Sequence, residues 1–406
     1  MKLKLMVGML AAAGVMVPGI ASATNGYFQH GIGVKEQSVG GAAIAFPQSA
    51  MVGATNPGAM TAVGRRIDLG LNWFSPKRSA DNHNPVGYSD SGSTNFFIPE
   101  FGYNRMLNDN TSFGVVVYGN GGMNTDWQEK FFGTTNTYSN LEQLFIAPTM
   151  AFKITPEHSV GVSLNLVRQT FEARGLQNFS IGTPSNSTAF LTDVGEDTST
   201  GWGVRLGYLG QVSPMVSVGA FWQPETRMSK FDKYRELFAE SGKFDIPESY
   251  GAGLAVKAND QITVAADLVQ IKYSKVPSIA NLNNFGSAQL GAPNGPGFGW
   301  KDVTALKLGV AYKYNPDLML RAGWNHGNNP LQSSETGFNI LAPATITDHL
   351  TMGATWTLAN KAELSVTYWH GFSKEVKGNF VAGNGADAAD LKMHQDDIGI
   401  AYGWNF

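Results

Sequence analysis

The chain has 406 residues, 43% hydrophobic and only 15% charged, with 48 Gly, 9 Trp and no Cys. A soluble protein of this size carries about 25% charged residues, so the deficit argues against a wholly water-facing surface, and the lack of Cys excludes disulfides and thiol chemistry. A net charge of -3 at pH 7 is too small to support a nucleic-acid or polyanion partner.

Lys2 and Lys4 precede an apolar run from Leu5 to Ile20, and Ala21-Ser22-Ala23 supplies a small-residue cleavage pattern. Residues 1–23 therefore read as a signal peptide, with the mature chain beginning at Thr24. The run is short and interrupted by Pro18, which disfavours a membrane anchor, and no later segment offers the roughly 18 consecutive apolar residues of a helical span.

Residues 24–64 lack strand alternation. Gly31 to Ala45 and then Ala54 to Met60 are rich in small side chains and broken by Pro47 and Pro57. Small side chains let a backbone pack closely in a confined space, so this segment reads as a hatch folded inside a barrel; a periplasmic tail is the alternative and would carry more charge.

From residue 65 onward the chain resolves into short alternating segments. Ile67, Leu69, Leu71 and Trp73 alternate with Asp68, Gly70 and Asn72, and Val160 to Leu166 and Leu306 to Tyr314 repeat the pattern. Six short turns lie near residues 107–110, 155–157, 213–214, 258–260, 315–317 and 359–361. Seven long loops alternate with them, at about 76–93, 120–142, 173–201, 224–246, 274–302, 327–345 and 372–394. That asymmetry predicts an all-β fold, a transmembrane antiparallel β-barrel of about fourteen strands with both ends on the short-turn side. Trp202, Trp222, Trp324, Trp356 and Trp404 fall near strand ends, where an aromatic girdle belongs. The last strand alternates through Ile398, Ile400, Tyr402, Trp404 and the terminal Phe406, the usual ending of a bacterial outer-membrane barrel.

Gly31-x-Gly33, Val39-Gly-Gly-Ala-Ala43 and Asn56-Pro57, followed by Pro247-Glu248, Gly299-Trp-Lys-Asp302 and Tyr368-Trp-His-Gly371, make the mature chain resemble the FadL family of outer-membrane channels for long-chain fatty acids and aromatic hydrocarbons. The resemblance implies a monomeric barrel plugged by an amino-terminal hatch. A fatty acid or hydrocarbon would be taken up passively and leave sideways beside a kinked third strand, and the remaining partners would be outer-membrane lipids and lipopolysaccharide. The hatch turn corresponds to Asn56-Pro57-Gly58, although the family commonly has Ala directly after Pro. The lateral gate corresponds to Gly119, Gly121 and Gly122, glycines that suit a bulge or bend but equally the start of a loop. Arg174 falls where fatty-acid members hold a carboxylate, Lys301 neighbours the second such position, and Phe28 completes the candidate ligand-binding residues. Without a clear second cation, a neutral hydrophobic substrate gains over a fatty acid.

Two other functions compete. A general diffusion porin would need an open, charged constriction, which a hatch would block. A barrel enzyme would need a catalytic or metal constellation, but the seven histidines are scattered, with no pair at ligand spacing. Asp193, Glu196 and Asp197 read as a solvated acidic loop or a cation site. No cofactor and no metal are expected. Tyr234, Leu237 and Phe238 stand at helical spacing, which predicts a short amphipathic helix over Phe231 to Glu240.

Overall fold

The computed structural model describes residues 25–83, 85, 87–283, 285, 288–379 and 388–406. The predicted signal peptide and Thr24 lie outside the described residues.

Fourteen antiparallel strands close into one barrel, with a two-residue piece at Ser89–Asp90 added to the first strand. They are β1 (Arg66–Asp81), β2 (Phe96–Met106), β3 (Thr111–Asp126), β4 (Tyr138–Lys153), β5 (His158–Arg174), β6 (Asp197–Ser213), β7 (Val216–Gln223), β8 (Ser249–Lys257), β9 (Ile262–Ile271), β10 (Val303–Asn315), β11 (Leu318–Gly327), β12 (Asp348–Thr357), β13 (Glu363–Val376) and β14 (Asp390–Asn405). Each pairs with its sequence neighbour, and β14 closes on β1 from Arg66↔Asn405 to Asp81↔Asp390. Closure leaves neither the first nor the last strand as a free edge in lipid, where unpaired backbone groups would find no water. Phe406 finishes the seam, its ring stacked 5.8 Å from Tyr103 and its N–H on the Arg65 carbonyl at 3.2 Å.

The alternation read from sequence sets the faces. Leu69, Leu71, Trp73, Leu164, Leu166, Leu306 and Ile400 are exposed on the outer wall, whereas Asp68, Asn72, Asn165 and Lys307 are buried on the lumen side. The strands run further than turn composition suggests. The connection expected at 120–142 shrinks to 127–137, because β3 keeps its pairing with β4 up to Asp126↔Tyr138.

Residues 25–64 lie inside this ring. The lumen wall holds their backbone with side chains from many strands. Asp267 accepts from the Ala43 and Ile44 N–H groups at 2.8 and 2.9 Å, Asp68 from Ala50 at 2.8 Å, and Glu100 from Val34 at 3.0 Å. Lys307 donates to the His30 carbonyl at 2.7 Å, and Asn104 donates to Met60 and Gly64 at 2.8 and 2.6 Å. Hydrogen bonds to charged groups contribute about 1.5–3 kcal/mol each, so the segment is held mainly through its own backbone. Burial, with His349 and Lys307 nearby, keeps His30 neutral, its pKa well below the ordinary histidine value.

Glycines on the wall make the fit possible. A Cβ at Gly323 would sit 2.1 Å from the Gly40 nitrogen, one at Gly207 2.2 Å from Asn56 Oδ1, and one at Gly219 2.4 Å from the Ile44 carbonyl. Asn56 caps the single-turn helix Pro57–Ala62: its Oδ1 accepts from Gly58 N–H at 3.0 Å, and its Nδ2 donates to Ile44 and Tyr208 carbonyls at 2.7 and 2.8 Å. A Cβ on Gly58 would come 2.7 Å from the Gly207 carbonyl oxygen, which accounts for glycine after Pro57.

Gly323→Val tests this fit. The outer wall is untouched, so the barrel should still show heat-modifiable mobility on gels, while residues 31–64 become sensitive to thermolysin. A variant whose segment stays as protected as the wild type would show that these contacts do not hold it.

Candidate ligand route

The aromatic side chains of the barrel interior form a connected series. Phe179 stacks on Phe285 at 4.7 Å beneath the long loops and meets Phe338 at 5.7 Å. Phe338 lies 5.1 Å from Phe298, Phe298 6.1 Å from Trp300, and Trp300 5.3 Å from Tyr273. Tyr273 ends the series against Tyr27 and Phe28 of the amino-terminal segment, at 5.4 and 6.0 Å. Polar atoms in this layer are largely internally matched: Trp300 Nε1 donates to Asn339 Oδ1 at 2.6 Å, and Asn339 Nδ2 donates to the Phe298 carbonyl at 2.7 Å.

Two narrow crevices open in this layer, and each is just wide enough in places to admit a water molecule. The inner one is lined by Met123, Phe171, Leu237, Phe238, Phe298 and Phe338, among others, with no charged side chain. The outer one lies against Phe74, Arg78, Gly122, Asn124 and Met393. Met123, with its flexible thioether, borders both.

The outer crevice adjoins the one interrupted ladder beside β3. Between β2 and β3 pairing ends at Phe101↔Val117, although β2 stays paired with β1 as far as Phe96↔Phe74 and β3 with β4 as far as Asp126. The upper half of β3 therefore has a bare edge toward β2. A bulge between Gly119 and Gly121 on the β4 side turns it, as bulges do. Residues 27–29 occupy that edge. Gly122 N–H donates to the Tyr27 carbonyl at 3.2 Å, Gln29 N–H to Asn120 at 3.2 Å, and Gln29 Nε2 to Gly119 at 3.0 Å. Tyr273 fixes the same segment from the other side, its hydroxyl donating to the Asn25 carbonyl at 2.6 Å and accepting from Tyr27 N–H at 3.1 Å. Burial raises the Tyr273 pKa well above the ordinary tyrosine value, which keeps that donor protonated.

The reading of Gly119 to Gly122 as the start of a loop is thus replaced by a strand that continues for four more residues. Gly121 does not leave a hole either: a Cβ there would fall 1.8 Å from the Tyr27 carbonyl oxygen, so the missing side chain admits backbone from the amino-terminal segment. Phe28 is buried beside it. Arg174 is elsewhere. It ends β5 on the outer face, half-exposed, 3.5 Å from Glu172 and with its guanidinium 4.0 Å from the Tyr138 ring centroid. Lys301 is exposed, its N–H on the Pro330 carbonyl at 3.0 Å. The three candidates Phe28, Arg174 and Lys301 do not form one cluster, because the even-numbered positions of β5 face outward and 301 lies in a surface connection. The predicted helix over 231–240 is two separate single turns, Asp232–Tyr234 and Ala239–Gly242, with Glu240 and Ser241 at φ 53° and 60°. Its apolar residues Tyr234, Leu237 and Phe238 are nonetheless buried, and Leu237 and Phe238 line the inner crevice.

Sequence reasoning passed over Arg78, Met123 and Tyr273. For Arg78 a signal existed: it shares the even, lumen-facing parity of Asp68 and Asn72 on β1. Met123 changes parity at the bulge, and Tyr273 sits in a long connection, so alternation was silent on both.

The profile of the family described as outer membrane protein transport protein (OMPP1/FadL/TodX) matches residues 20–406. The chain belongs to that family. Its members are outer-membrane transport channels rather than enzymes, and the barrel is accordingly an integral protein of a Gram-negative outer membrane. Among solved structures, the Pseudomonas putida toluene transporter TodX superposes with TM-score 0.71 at 20% identity, covering 93% of this chain and 99% of the transporter. A Pseudomonas aeruginosa FadL homologue superposes with TM-score 0.72 at 15% identity over 94% and 100% of the two chains. The Ralstonia pickettii toluene transporter TbuX gives 0.66 at 18% identity over 93% and 99%. These likenesses share the fold. No curated protein matches by sequence.

Two substitutions check this geometry. Tyr273→Phe leaves the Asn25 carbonyl and Tyr27 N–H without their partner, a cost of about 1–3 kcal/mol, which should appear as faster hydrogen exchange at Tyr27 to Gln29. Arg174→Ala should alter binding of a long-chain carboxylate and of a neutral hydrocarbon alike by less than about 0.5 kcal/mol, measured by tryptophan quenching in detergent.

Proposed function

We propose that this channel takes up small neutral hydrophobic compounds, aromatic ones foremost, and releases them sideways into the membrane beside β3. The β2–β3 ladder that stops at Phe101↔Val117 carries this reading, because it is a break in the wall that only three residues of the amino-terminal segment fill. An apolar ligand enters beneath the long loops and occupies the inner crevice, where burial is favourable by about 25 cal/mol per Å² of apolar surface. It then passes Met123 to the outer crevice and leaves through the break.

Route and ligand chemistry support one another. The lumen below the crevices is occupied by residues 25–64, so an aqueous path would require removing a segment held by Asp267, Asp68 and Glu100. A sideways path also spares an apolar ligand the transfer back into water. The inner crevice offers rings and aliphatic carbons and no cation for a carboxylate, while Arg174 lies on the outer face. The same occupied lumen disfavours a general porin.

Gly122→Leu fills the outer crevice without touching the inner one. Whole-cell uptake of a labelled monoaromatic hydrocarbon should fall by about tenfold, the effect of overpacking a narrow passage, and excess long-chain fatty acid should not compete in the wild type. Full uptake by a folded variant would favour passage through the lumen past a displaced amino-terminal segment, and strong competition would favour a carboxylate substrate.

A further inference from the structure

Arg78 stands on the lumen face of β1, only 4% exposed, beside the upper part of the β2–β3 break. Its guanidinium reaches past the start of β2. Nη1 donates to the carbonyl of Asn124 on β3, and Nη2 donates to the carbonyl of Ser93, in the connection that leads into β2. The same group lies 5.5 Å from the centroid of Phe96, the first residue of β2. One side chain therefore ties together the two walls of the break.

The neighbouring backbone is arranged around this tie. Ser91 N–H donates to the Arg78 carbonyl at 2.9 Å, and Gly92 N–H donates to Asp126 at 2.7 Å, which roofs the break where β3 ends. Below the roof, Phe96 to Glu100 of β2 have partners on β1 and none on β3. Residues 27–29 cover β3 only from Gly119 to Gly122. Asn124, two residues above that cover, is where Arg78 takes hold.

We infer that Arg78 is a releasable clasp on the lateral opening, a positioning residue that holds β3 against the start of β2 until a ligand enters the outer crevice. This rests on the proposed sideways exit. The chemistry of the contact suits release. Both acceptors are neutral backbone carbonyls rather than carboxylates, so the guanidinium is held by dipoles and not by a charge pair. Its Nε is buried without a hydrogen-bond partner, which makes the closed position incompletely satisfied. Arg78, Gly122, Met123 and Asn124 together line the outer crevice. A ligand arriving past Met123 thus meets the clasp itself, and wedging between Phe96 and β3 breaks the contact of the guanidinium with the ring.

The test uses the full-length channel, whose lack of Cys makes introduced thiols unique. Phe97→Cys on the outer face of β2 and Leu144→Cys on β4 flank the opening, and carry either spin labels or a short bis-maleimide bridge. Arg78→Met keeps the volume of the side chain but loses both donors, and Arg78→Lys keeps the charge but cannot fork across two carbonyls. The expected result is a longer label separation in Arg78→Met and uptake faster by at least about tenfold, since each of the two lost charge-assisted hydrogen bonds corresponds to a factor of about ten or more, with Arg78→Lys between it and the wild type. Unchanged separation and uptake in folded Arg78→Met, when the bridge does stop wild-type uptake, would overturn the clasp alone. Undiminished uptake by the bridged wild type would instead overturn the sideways exit. Lower uptake with an unchanged separation, in both Arg78 variants, would make Arg78 an ordinary packing residue and also reject the clasp.

Discussion

A strand inside a membrane must pair every backbone N–H and carbonyl, since lipid offers no substitute. Everything distinctive in this barrel follows from one place where the ladder fails that demand. β2 and β3 part company above Phe101↔Val117, and the bare edge of β3 is satisfied by Tyr27, Phe28 and Gln29. The amino-terminal segment is therefore a missing piece of the wall as well as a filling for the lumen. Its departure from that edge would expose unsatisfied backbone.

The rest of the segment is immobilised by a different set of forces. Lumen carboxylates and amides grip its backbone, and wall glycines such as Gly207, Gly219 and Gly323 bring strand and segment to a separation no other residue would permit. Asp267 shows the economy of the arrangement, one oxygen receiving two consecutive N–H groups. A plug fixed this way at many points moves as a whole only by breaking many contacts together. Residues 25–29, by contrast, are held by three hydrogen bonds to β3 and two to Tyr273, with Gln37 donating to Gln29 as the link back to the rest of the segment.

Above the segment the interior changes character, from buried acids and amides to rings. Phe179, Phe338, Phe298, Trp300 and Tyr273 make a continuous apolar lane from the loops to the break, and its hydroxyl and indole groups are turned onto protein partners. The lane therefore presents apolar contact area along its length.

The sequence by itself determined the barrel, the lipid-facing positions and the alternation of short turns with long loops, because a two-residue period and turn chemistry are local properties of the chain. Ile67 to Trp73 and Ile398 to Phe406 state their faces without reference to any neighbour. The site was legible only in part. The glycines after Tyr118 marked an irregularity, but whether it was a loop or a bulged strand depended on whether β4 reached far enough to pair with it. Arg174 had the right residue type in the right stretch of chain, yet strand parity put it outside. Tertiary structure alone decided that Met123 borders two crevices, that Tyr273 holds Tyr27 from 246 positions away, and that Arg78 spans a break between two other strands, because each depends on which distant segments closure of the ring brings face to face.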